Sequence, residues 1–177
     1  MEAASELFYR EGIRAVGVDT ISERAGVSKR TLYNRFGGKD ELVAEYLRRR
    51  DERWRAYLRG VTRGVADHRG KILAVFGAYE EWLVGEEFRG CPFANAVAEF
   101  PDPNHPARVV ARQHKEGVKD HLSALATDAG FDEPESLAEW LHLLLEGAIA
   151  TAAMRRSGES LEVARSIALE LMAASKE

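Results

Sequence analysis

Apolar positions recur along this chain at intervals of three and four, with no alternating stretch of useful length, which is the spacing of helices with one buried face. Ala4, Leu7 and Phe8 mark a first short helix stopped by Gly12, Ile21 and Ala25 a second before Gly26, and Leu32 and Phe36 a third before Gly37 and Gly38. Leu42, Tyr46, Leu47, Trp54, Tyr57, Leu58 and Val61 sustain a longer amphipathic helix, arginine-rich on its other face, over 39–63. The same spacing predicts helices over 69–86, 107–129, 134–157 and 159–175, with a brief turn or helix at 92–100. Pro101, Pro103 and Pro106 keep the intervening loop out of any helix interior. The pattern predicts an all-α chain of about nine helices, without internal repeats or low-complexity tracts.

The segment Val18–Phe36 carries the sharpest chemistry. A helix-turn-helix needs an apolar inward face on its first helix, a small residue where the helices approach and a glycine at the turn, and Ile21, Ala25 and Gly26 supply these in order. Val27 anchors the turn, and Ser28 is placed to cap the second helix through its hydroxyl. Leu32 and Phe36 point that helix inward, which leaves Lys29, Arg30, Thr31, Tyr33, Asn34 and Arg35 around its exposed side. Arg and Asn can read guanine and adenine edges bidentately in the major groove, whereas Lys, Thr and Tyr suit phosphates or thymine methyls.

Charge agrees with this placement. The chain is −4 overall, yet residues 1–50 hold ten Lys and Arg against eight Asp and Glu, and residues 28–39 hold four basic residues and no acid. A short basic segment on an acidic chain is the footprint of a local phosphate contact or, equally on charge alone, of a solvated helix face. With 45% apolar and 31% charged residues the composition is that of an ordinary globular protein. No run approaches 18 consecutive apolar residues and the N-terminus lacks a secretory pattern, so a cytoplasmic protein without a membrane partner is expected. The single cysteine, Cys91, excludes an intramolecular disulfide and any zinc site needing two thiolates. An enzyme is not expected: Cys91 with one of five histidines is the only nucleophile–base pair available, and no nucleophile elbow, phosphate loop or carboxylate motif accompanies it. Nothing calls for a cofactor.

Ala4, Leu7, Phe8, Gly12, Ile21, Ala25-Gly26-Val27-Ser28, Thr31-Leu32-Tyr33, Phe36, Lys39 and Leu42 together resemble the DNA-binding domain of the TetR (tetracycline repressor) family. The resemblance covers Ala3 to Leu47 and implies a helix-turn-helix domain over 1–47 followed by a ligand-binding and dimerisation domain over 48–177. It implies an Ω-shaped homodimer whose recognition helices enter successive major grooves of double-stranded operator DNA. By the same resemblance Lys39 and Tyr33 contact phosphate. Gly17 stands where the family often has a Thr or Ser that caps the second helix, a role Thr20 is placed to take over. The first helix begins almost at Met1, so no basic N-terminal arm is expected.

The remaining residues have to supply dimerisation and signal. Over 137–154 the helix is apolar on every side, through Leu137, Trp140, Leu141, Leu143, Leu144, Leu145, Ala148 and Ile149, which predicts burial on every side, by a partner chain or in a monomeric core. In the intersubunit four-helix bundle that the resemblance implies, Leu141, Leu144, Ala148, Ala152, Leu161, Ala168 and Leu171 are the expected dimerisation residues. Phe76, Tyr79, Trp82 and Leu83, facing Cys91, Phe93, Val97, Leu122, Leu125, His121 and Leu143, would line an apolar pocket for an unidentified small-molecule inducer, although an aromatic stripe at this spacing is more often core. Cys91 precedes Pro92 at a predicted helix start, where the helix dipole favours thiolate, so sensing of oxidants or electrophiles through Cys91 is the alternative to inducer binding. His114 and His121 lie seven apart on one helix, with His105 and Glu99 nearby in sequence; two turns separate the imidazoles by roughly 10 Å, too far to share an ion unaided, and no metal site is expected. The reading as a whole is a ligand-responsive transcriptional repressor, released from its operator by the inducer.

Overall fold

A computed structural model describes residues 1–83 and 88–175, with the side chain of Leu83 outside the described set. Among the described residues the chain is all helical: α1 (Glu2–Glu11), α2 (Val18–Ala25), α3 (Lys29–Phe36), α4 (Lys39–Arg63), α5 (His68–Leu83), α6 (Pro92–Glu99), α7 (Pro106–Asp128), α8 (Pro134–Arg155) and α9 (Glu159–Ala174). Prolines at the first positions of α6, α7 and α8 need no intrahelical donor there, which is why they begin these helices. Positive φ values at Gly12 and Gly26 let the chain leave α1 and α2 without the steric cost a side chain would incur.

Two compact units divide the chain. The first comprises Met1–Arg53 and Cys91–His114, the second Trp54–Gly90 and Lys115–Glu177. The first is built on Leu7, Phe8, Ile21, Leu42, Tyr46 and Leu47, all buried, with the rings of Phe8 and Tyr46 5.6 Å apart. Burial pushes the Tyr46 hydroxyl up to about 12, so it stays protonated at any physiological pH. Phe93, Ala96, Ala107 and Val110 add buried surface from α6 and α7.

In the second unit α9 packs on both α8 and α5. Leu137, Leu141, Leu145, Ala148, Ile149 and Ala152 form the buried face of α8, and Leu161, Ala164, Ala168 and Met172 that of α9. By length and composition α8 could cross a bilayer, but this buried face gives it the place of a core helix. Its other face is open: Trp140, Leu143 and Met154 are exposed, as are Val163, Ile167 and Leu169 on α9. Within one chain α8 is therefore buried on one face, not on every side as a monomeric core helix would be.

Candidate functional site

Helices α2 and α3 form the helix-turn-helix, and the turn is closed by backbone more than by side chains. Gly26 sits in the left-handed region at φ 65° and ψ 31°, its amide donating to Glu23 O, while the Val27 amide donates to Ser22 O at 3.0 Å. This is a Schellman closure, satisfying carbonyls that the end of α2 would otherwise leave bare. Two expectations change here. Ala25 is exposed, and the small buried residue of α2 is Ser22, whose hydroxyl folds back to donate to Val18 O at 2.8 Å. Val27 contributes its amide to the turn, and its side chain is exposed.

Ser28 caps α3 as its position predicts: Oγ accepts the Thr31 amide at 3.1 Å and lies 2.8 Å from the Thr31 hydroxyl. Both hydroxyls are thus engaged with each other in the free chain. No side chain caps α2, so Gly17 leaves that end bare and Thr20, exposed, does not stand in. Leu32 and Phe36 are half-buried and hold α3 on its inner side. Arg30, Tyr33 and Asn34 are exposed on the outer side with no partner among the described residues, Tyr33 at 51% of its surface. Lys29 is paired with Asp19 of α2, and the Arg35 guanidinium lies 5.5 Å from the Phe36 ring centroid. Arg35 also lines, with Arg24, Arg49, Glu2 and Glu6, an open cleft of about 570 Å³ beside α1. At the start of α4, burial lowers the Lys39 ammonium's pKa, against the opposing pull of Glu99 and Asp40.

The residues expected around an inducer are distributed differently. Phe76 and Tyr79 are buried in the second unit, and Tyr79 and Trp82 join a ring cluster with Trp54, whose centroid is 4.5 Å from Tyr79 and 5.6 Å from Trp82. Trp54 Nε1 donates to the Tyr79 hydroxyl at 3.2 Å. Trp54 and Tyr57 were visible in the sequence as members of the α4 stripe, but their side chains converge with α5 only in the fold. His121 is half-buried in the same unit; burial, with Arg59 nearby, lowers its pKa, and its Nε2 has no partner among the described residues. Leu83 lies outside the described side chains. Cys91, Phe93 and Val97 belong to the first unit, where Cys91 occupies the N-cap position of α6 and is buried. Phe93 stacks on His114 with ring centroids 3.6 Å apart, and His114 Nδ1 lies 2.7 Å from Asp51 Oδ1. His114 and His121 thus fall in different units, and among the described residues no three potential ligands are grouped to hold a metal.

Leu143 is corrected from pocket lining to surface: it is 61% exposed and shares an open groove of about 470 Å³ with Leu144, Gly147, Thr151, Val163 and Ile167. The expected dimerisation set is corrected with it. Leu141, Ala148, Ala152, Leu161 and Ala168 are buried inside the chain and have almost no surface left to offer a partner, while Leu144 and Leu171 are half-buried. Periodicity identified these helices as apolar but could not tell the intrachain face from the outer one.

Two family models match the chain: "Bacterial regulatory proteins, tetR family" over residues 1–46 and "Tetracyclin repressor-like, C-terminal domain" over residues 69–168. A crystal structure of a TetR-family transcriptional regulator from Streptomyces coelicolor is 31% identical, with a TM-score of 0.92 over 99% of this chain and 93% of its own. A putative regulator from Streptomyces avermitilis is 33% identical, with a TM-score of 0.85 over 99% and 94% of the two chains. Among curated relatives, the HTH-type transcriptional regulator YjdC of Escherichia coli is 26% identical over 172 residues, 96% of this chain and 89% of its own length.

Proposed function

Because the chain belongs to the TetR family of bacterial transcriptional regulators, we propose that it is a homodimeric, ligand-released repressor whose α3 reads operator DNA in the major groove. The observation that carries this reading is the outer side of α3, where Arg30, Tyr33 and Asn34 are exposed and unengaged on a helix fixed from behind by Leu32, Phe36 and the Ser28 cap. Arg30 and Asn34 are the base readers, joined by Lys29 and Thr31 once DNA draws them from Asp19 and Ser28. Tyr33, Lys39 and Arg35 meet phosphates. Such a protein works in the cytoplasm, where the DNA is.

Selection of duplexes from a random pool tests this directly. Lys39→Ala should weaken binding to selected and random duplexes alike and lower the salt slope by about one, whereas Asn34→Ala should change the preferred sequence. Uniform loss for both variants would overturn the division of roles. Repression follows the family resemblance, while a relative 37% identical over 81 residues, FasR of Mycolicibacterium smegmatis, is named an activator; a reporter fused to a selected site decides the sign.

For the dimer we propose the open groove on α8 and α9, because Leu143, Val163 and Ile167 are large, apolar and uncovered there. Leu143→Glu with Ile167→Glu should leave a monomer in equilibrium sedimentation; a dimer that persists refutes the assignment. The inducer site is proposed in the second unit around Trp54, Tyr79 and Trp82, to be found by a thermal-shift screen of a metabolite library. Cys91 supports a second reading, as a sensor of oxidants or electrophiles, through its N-cap position ahead of Pro92. Burial of Cys91 counts against it, and the failure of iodoacetamide to label the native chain would remove it.

A further inference from the structure

The carboxylate of Glu99, at the last position of α6, accepts two consecutive backbone amides from the turn between α1 and α2: Ile13 N–H to Oε1 at 2.9 Å and Arg14 N–H to Oε2 at 2.6 Å. The turn is shaped to receive it. Gly12, at φ 94°, brings its Cα face to within 3.7 Å of the carboxylate as measured from where a Cβ would stand. The same corner of the chain also reaches the start of α4. Phe100 stacks on His105, with centroids 3.7 Å apart, and His105 Nδ1 accepts the Ala107 amide, leaving Nε2 3.5 Å from Asp40 Oδ1. Residues 99–107 thus brace both the turn ahead of α2 and the residue beside Lys39. They belong to the segment Cys91–His114, which falls in the same compact unit as the helix-turn-helix.

A negative charge beside Lys39 opposes phosphate binding by simple Coulomb repulsion. Any benefit of Glu99 to DNA binding has to come from where it holds the turn, through a charge-assisted pair of bonds that fixes two amides at once. From this geometry we infer that Glu99 is a positioning residue for DNA reading, holding the α1–α2 turn, and with it α2, where α3 can enter the groove. The inference rests on the DNA-binding reading above.

Charge and position predict opposite signs, which makes the test decisive. The probes are a duplex selected from a random pool by the wild-type chain, and poly(dI-dC). Glu99→Gln and Glu99→Ala should each weaken the selected duplex about tenfold, the worth of one charge-assisted hydrogen bond, while poly(dI-dC) binding holds or tightens. Glu11→Gln removes the same charge from the exposed end of α1 and should not weaken either duplex. Hydrogen exchange at the Ile13 and Arg14 amides should quicken about tenfold in both Glu99 variants at a nearly unchanged melting temperature. Equal or tighter binding of the selected duplex by Glu99→Gln would overturn the inference, as would parallel loss on both duplexes with a falling melting temperature. If the wild-type chain enriches no duplex, the DNA-binding reading fails and takes this one with it. An enriched duplex held as tightly by both Glu99 variants as by wild type removes this inference alone.

Discussion

Helices α3 and α6 have eight residues each and are secured in opposite ways. α3, KRTLYNRF, buries no residue fully and is fixed by a side-chain cap at Ser28 and by the half-buried Leu32 and Phe36. α6, PFANAVAE, has no side-chain cap and is fixed by burial of Pro92, Phe93 and Ala96. Isolated helices this short are marginal in water, so each needs help from outside its own backbone. Local capping leaves α3 free to present its outer side, whereas tertiary packing gives α6 a fixed place from which Glu99 can act at a distance.

The largest effect should come from breaking the packing of α6. Phe93→Ala removes a buried ring stacked on His114 and should cost about 3–5 kcal/mol in urea unfolding. A cost below about 1 kcal/mol would mean that α6 is held by something other than burial. Ser28→Ala should cost about 1 kcal/mol, seen first as faster amide exchange in the opening turn of α3. If exchange in α6 quickened as much as in α3, the distinction between capped and packed helices would fail. Acid provides a graded contrast from the second unit. Burial lowers the pKa of His121 and, against the pull of Glu146, that of His142, so as acid is added the unfolded chain, whose histidines titrate near about 6.5, takes up protons at these positions before the fold does. Stability should then fall as pH drops from 7 toward 5, and a variant with His121→Gln and His142→Gln should show a shallower fall in pH-dependent melting. The smallest effect belongs to the outer side of α3: Asn34→Ala should change stability by no more than about 0.5 kcal/mol, since its side chain is exposed.

The same contrast explains what could be read from the residues in order. α3 was legible because its determinants are local: the Ser28 cap, the glycines at both ends and an apolar pair one turn apart. The nine helices among the described residues and the family resemblance followed from the same kind of information. Side-chain partners across the fold were not legible. Glu99 finds its amides 85 and 86 residues earlier in the chain, and no spacing rule connects them. Ser22 and Ala25 are both small and on the same short helix, so composition could not say which one faces the interior. On α8, apolar residues on every side erased the periodicity that would have separated Leu141, buried in the chain, from Leu143, exposed on its surface.

The groove on α8 and α9 has a quantitative consequence for control. If a second copy covers Leu143, Val163 and Ile167, pairing and operator occupancy are linked equilibria, and below the pairing constant occupancy rises with the square of the chain's concentration. A twofold change in expression would then change occupancy about fourfold, a sharpness in gene dosage that arises from three uncovered aliphatic side chains and needs no inducer.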